Sequence, residues 1–138
     1  MHRVAKLLIM IAVFAPTACT RVSSSEERLI GDWSLLRGDI DDNGAYTTKR
    51  GFDVTTLNAD HTFSQVSHPA DLPPAHVLSG NWHTQWQQLV LKFVWAHLSL
   101  RDMVGEELWL IISDLRPDHF VSANAQNQKQ KMVWTRVK

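Results

Sequence analysis

The residues most suggestive of chemistry are Asp39-Ile40-Asp41-Asp42-Asn43-Gly44. They match the opening of a calcium loop, D-x-[DN]-x-[DN]-G, in which alternating oxygens face one cation. Such loops supply about six to eight oxygens and end on a bidentate carboxylate twelve residues in. Here that position is Arg50, a cation, so the spacing favours a polar hairpin turn. Histidines His61, His68, His76, His83, His97 and His119 offer nitrogen ligands, but no two stand at the close spacing of a zinc site. Glu106 and Glu107 are adjacent, so on a strand they face opposite sides and cannot act as a pair. Asp114 and Asp118 bracket Pro117 in a turn. The chain has no G-x-S-x-G nucleophile and no Gly-rich phosphate loop, and its single thiol is Cys19. No catalytic set, metal or cofactor is expected. Trp86 and Trp95 remain. They fall near strand ends, where the mouth of a barrel would be, and could stack on an apolar ligand, anchor a protein partner or close the barrel as plugs.

Composition narrows the class. The 138 residues carry 14 basic and 14 acidic side chains. There is no basic field for nucleic acid and no polybasic run for anionic lipid. With one cysteine no disulfide can form within the chain, so the fold must stand on its hydrophobic core. Six tryptophans (Trp33, Trp82, Trp86, Trp95, Trp109 and Trp134) supply large apolar surfaces for it.

The segment Met1–Cys19 has a basic start (His2, Arg3, Lys6), an apolar centre from Leu7 to Ala15, and small residues before the cysteine. Those are the three parts of a secretory signal peptide, and the centre is shorter than the roughly 20 residues a membrane span needs. Thr17-Ala18-Cys19 resembles the lipobox of bacterial lipoproteins, with Pro16 standing where that family prefers an aliphatic residue. The resemblance implies cleavage before Cys19, a lipidated Cys19 sulfur and a membrane held by its acyl chains. Thr20 follows where inner-membrane lipoproteins often carry Asp, which implies the outer membrane, facing the periplasm. Cutting off residues 1–18 removes Arg3 and Lys6, leaving 120 residues with 12 basic and 14 acidic groups, one compact domain in size. Residues 19–28 are expected to form the lipidated cysteine and a flexible Ser-rich tether, and residues 29–138 the folded domain.

That domain reads as a series of short strands. Ile30–Arg37 opens it, and Tyr46–Leu57 and Thr62–Val66 form a hairpin around Asn58-Ala59-Asp60-His61. The Pro-rich stretch His68–Ala75 is a loop. Val77–Gln85 alternates with Leu78, Gly80 and Trp82 on one side, and in Leu89–Trp95 the residues Leu89, Leu91, Phe93 and Trp95 share a face. Ala96–Glu107 fits either a short helical turn or a long loop. Leu108–Ser113, His119–Ala123 and Lys131–Val137 complete about eight strands. By apolar parity Trp33, Trp82 and Trp109 belong to the core. Many short strands point to a barrel or sandwich, and closing the sheet removes its exposed edges.

Gly31-Asp32-Trp33, Asn58–Phe63, Gly80-Asn81-Trp82 and Leu108–Phe120, in this order and ending in Trp134-Thr135-Arg136, resemble small bacterial lipocalin-like domains. The resemblance implies an all-β, antiparallel up-and-down barrel of about eight strands, plugged by Trp33 with Arg136 lying over it. It also implies a binding domain for a small apolar or amphiphilic ligand. The inward positions look mostly large and apolar, which suits a solid barrel equally well. A solid barrel would act through its loops on another protein, as an immunity protein against a toxin or an envelope assembly factor does.

Overall fold

The structure, a computed structural model, describes residues 24–40 and 46–138. Cys19 and the expected signal segment lie outside these, as do residues 41–44 of the calcium-like run. Eight strands follow in chain order: β1 (Gly31–Ile40), β2 (Tyr46–Leu57), β3 (Thr62–Pro69), β4 (Ala75–Gln85), β5 (Gln88–Ala96), β6 (Glu107–Ser113), β7 (His119–Asn124) and β8 (Lys131–Arg136). Each pairs antiparallel with the next, and β8 returns to β1, so the sheet is a closed up-and-down barrel. A 3-10 helix, Leu98–Met103, occupies the stretch between β5 and β6.

Local chemistry explains the tight connections. At the β2–β3 turn the Asp60 carboxylate accepts from both the backbone N–H and the hydroxyl of Thr62, and the Asn58 N–H bonds the Thr62 carbonyl. His61 sits between them at φ 67°, in the left-handed region such a turn requires. Asp114 does the same at the β6–β7 turn, with φ 53°, and its carboxylate takes a bond from Arg116.

The core runs from the end that holds the β2–β3 turn, through Leu91, Phe93 and Leu78, to Leu100 and Met103 of the 3-10 helix. Trp33, Leu57, Phe63, Trp82, Leu110, Phe120 and Trp134 are buried in it. Phe120 meets Trp33 edge-on at 4.7 Å and stacks on Trp134 at 5.0 Å. Each buried indole N–H donates to a partner inside the fold: Trp33 to the Leu29 carbonyl, Trp82 to the Asn58 carbonyl and Trp134 to the Ser122 hydroxyl. The aromatic mass is therefore buried without orphaned donors, which would otherwise cost about 1–3 kcal/mol each.

Three sequence expectations change. Residues 24–28 are not a free tether: Ser24–Glu27 forms one helical turn, α1, and the Glu26 carboxylate is bonded to the barrel. Trp95 leaves the face of Leu89, Leu91 and Phe93 because the β4–β5 register shifts between Ser79 and Gly80, leaving Val94 as an extra residue. Trp109 is on the outer face. It pairs with Val90, which pairs with His83, and the two rings approach edge-on at 6.5 Å across Val90, which is 0% exposed.

Candidate functional site

The two ends of the barrel differ in chemistry. At the plugged end the Arg136 guanidinium lies 4.2 Å from the centre of the Trp33 ring. Its N–H groups donate to the carbonyls of Pro117, Ile30 and Arg28 at 2.7, 3.0 and 2.9 Å. This one side chain ties β8, the β6–β7 turn and the entry to β1 together. Gly31, at φ 135°, is what lets it in, since a Cβ there would run into the guanidinium. The G-x-W spacing thus has a local cause: glycine admits the arginine, and tryptophan two residues on turns inward beneath it.

Beside this plug, Glu26 holds α1 to the barrel. His61 Nε2 lies 2.6 Å from one carboxylate oxygen, and the Thr84 hydroxyl donates to the other at 2.7 Å. Partial burial alone would push the Glu26 carboxyl up. The bonds from His61 and Thr84 together outweigh it and hold the carboxyl below its ordinary value. His61 also packs on Trp82, with ring centres 5.2 Å apart.

Further along the barrel, the inner wall of β2 and β3 is polar. Leu57 pairs with Phe63, both buried, so the period of two brings Thr55 and Asp53 on β2, and Gln65 and Ser67 on β3, to the same inward face. The Thr55 hydroxyl lies 3.4 Å from Gln65 Oε1, and Gln65 Nε2 donates to the Asp53 carboxylate at 3.2 Å. Thr55 and Ser67 are buried. Leu35 pairs with Asp53 across β1–β2, and Leu35, Leu108 and Met132 pack on the core as partly buried neighbours. At the opposite end the 3-10 helix packs Leu100 and Met103 on the core, and His97 caps it by accepting from the Ser99 N–H. Sequence reasoning missed this polar wall. The alternation of Phe52 and Val54 points the wrong way, and only the Leu57–Phe63 register turns it round.

The two tryptophans expected near a barrel mouth lie at strand ends, but at opposite ends of the barrel. Trp86 is in the two-residue β4–β5 loop at the plugged end, 91% exposed and at φ 61°. A left-handed backbone costs a bulky L-residue about 1–2 kcal/mol. It borders a cleft of ≈ 430 Å³ whose lining includes Arg28, Leu29, Ile112 and Leu115. Trp95 is 45% exposed and stacks on His76 at 4.7 Å outside the barrel.

The other candidate groups make structural contacts. His68 stacks on Phe52, and His83 meets Trp109. His119 Nδ1 lies 2.9 Å from Asp118, and the Glu107 carboxylate accepts from the Trp109 indole. The bond from Arg116 lowers the Asp114 carboxyl, and the bond from His119 lowers that of Asp118. Among the described residues no group of three or more His, Cys, Asp or Glu is arranged to hold a metal. Compared with known proteins, the chain matches no family model and no curated protein.

Proposed function

We propose that this chain is a lipoprotein of the bacterial envelope, cut before Cys19, held by acyl chains on that residue and facing the periplasm from the outer membrane. Its barrel would bind a small amphiphilic molecule. The observation that carries the binding half is the inner wall of Asp53, Thr55, Gln65 and Ser67, polar groups on the inside of a barrel whose other end is packed with tryptophan and phenylalanine. Gln65 bonds both Asp53 and Thr55 within this wall, and the polar group of a ligand would join that network. An amphiphile would set its polar group on Gln65 and Thr55 and its apolar part on Leu35, Leu108 and Met132. The signal segment and Thr17-Ala18-Cys19 support the anchor.

Native mass spectrometry of the lipidated chain, purified gently from its own host, tests the binding half. A small-molecule mass that leaves on unfolding, and is weaker in Gln65→Leu, is the expected result. A bare mass at every step would sink it. Metabolic labelling with an alkyne fatty acid tests the anchor: label is expected on the wild type and absent from Cys19→Ser, and an unlabelled wild type would rule it out.

A second reading, a solid barrel that binds a protein of the envelope or a toxin, draws on exposed apolar side chains around the end that carries the 3-10 helix. Leu72 belongs to the β3–β4 loop, and Leu98 and Val104 to the β5–β6 stretch. A host protein co-purifying at a fixed ratio with the bare chain would favour it.

A further inference from the structure

Two independent features turn one end of the barrel toward a lipid surface. The first is reach. Five residue steps separate Cys19 from Ser24, and at full extension they span about 18 Å. The residues they lead into, α1, are fastened to the plugged end through Glu26, His61 and Thr84. β5 is 9 residues long. At about 3.3 Å per residue and a tilt of about 40°, such a strand spans roughly 23 Å of barrel height. With Cys19 in the bilayer, this reach keeps the plugged end nearer the membrane than the end that carries the 3-10 helix.

The second feature is Trp86. It is 91% exposed, in the loop that projects from the plugged end, at a positive φ that glycine or asparagine adopts with less strain. An indole so placed gains almost nothing from packing in the barrel. The two-residue turn sets this φ, as the β2–β3 turn does for His61, but it places a large apolar ring in solvent, where a contact outside the molecule would cover it. At a membrane interface the amphipathic indole sits at headgroup depth. Beside it, the partly buried Ile112 and Leu115 line the cleft and extend the apolar surface. Exposed charge at this end leans acidic, with Glu27, Asp32, Asp60, Asp114 and Asp118 against Arg28, Arg116 and Lys138, so the contact does not call for anionic lipid.

We infer that the plugged end is a membrane-contact surface. Trp86 inserts at the headgroup level of the bilayer that holds the Cys19 lipid, and the end that carries the 3-10 helix points away. The inference rests on the lipid anchor proposed above.

The test uses the full lipidated chain in phosphatidylcholine vesicles. With Cys19 acylated, Gln87→Cys or Asp71→Cys provides the one free thiol for a fluorescent label, next to Trp86 or in the β3–β4 loop at the opposite end. Nitroxide-labelled lipid is expected to quench the label at 87 at least threefold more than the label at 71, and Trp86→Ser to reduce quenching at 87 at least twofold. Vesicle-bound protein with equal quenching at both sites would overturn the orientation while leaving the anchor intact. Unchanged quenching in Trp86→Ser would remove Trp86 as the contact. Protein that fails to float with the vesicles would overturn the anchor, and the orientation with it.

Discussion

Arg136 carries more of the fold than any other exposed-end residue, because it acts through geometry as well as charge. A planar guanidinium can lie on the Trp33 face and still aim N–H groups at three carbonyls, a combination an ammonium cannot reproduce. Arg136→Lys is therefore expected to melt nearly as early as Arg136→Ala, both below wild type, when thermal unfolding is followed by circular dichroism. A wild-type melting temperature in Arg136→Ala would refute the plug. Trp33→Ala removes a fully buried indole, and the expected loss is about 3–5 kcal/mol. Gly31→Ala should also destabilise the chain, since it combines a strained φ with a clash against the guanidinium.

At the level of elements, α1 and the β4–β5 bulge make the most distinct claims. The lowered Glu26 carboxyl means that its bonds to His61 and Thr84 contribute stability above the ordinary carboxyl range, which is lost as pH falls through the folded value. Melting temperature should thus fall on acidification below about pH 4.5, and Glu26→Gln should flatten that part of the profile. Identical acid profiles for the two proteins would show that the latch does not couple to folding. At the bulge, a Cβ on Gly80 would meet the Lys92 carbonyl, a backbone atom that cannot swing aside. Gly80→Ala is expected to cost about 1–3 kcal/mol in a denaturant titration, and an undiminished midpoint would contradict the close approach.

For the molecule as a whole, closure is uneven. The β1–β2 ladder has nine residue pairs, whereas β8 meets β1 at only two, Trp33 with Arg136 and Ser34 with Thr135. Both lie beside the plug, so the aromatic core and Arg136 hold the seam where hydrogen bonds are few. Local opening begins where the ladder is shortest. In hydrogen exchange the Val137 amide, bonded across the seam to the Asp32 carbonyl, should exchange faster than amides shared by β4 and β5. The reverse order would mean that the barrel opens elsewhere.

The strand content, the turns and the G-x-W start were legible in the sequence because they rest on local causes: alternation, turn residues and a glycine two positions before a tryptophan. Eight strands with short links also leave closure as the simplest way to remove edges. Which way a side chain faces depends on register instead, and register is a property of two strands. One extra residue at Val94 moved Trp95 outside, and pairing of Leu57 with Phe63 turned Asp53, Thr55, Gln65 and Ser67 inward against the apolar pattern of Phe52 and Val54. The contact of Glu26 with His61 and Thr84 spans 35 and 58 residues, so nothing in the composition of a Ser-rich segment could reveal it. Local preference selected the elements of this protein, and only the closed barrel decided which of their faces meet.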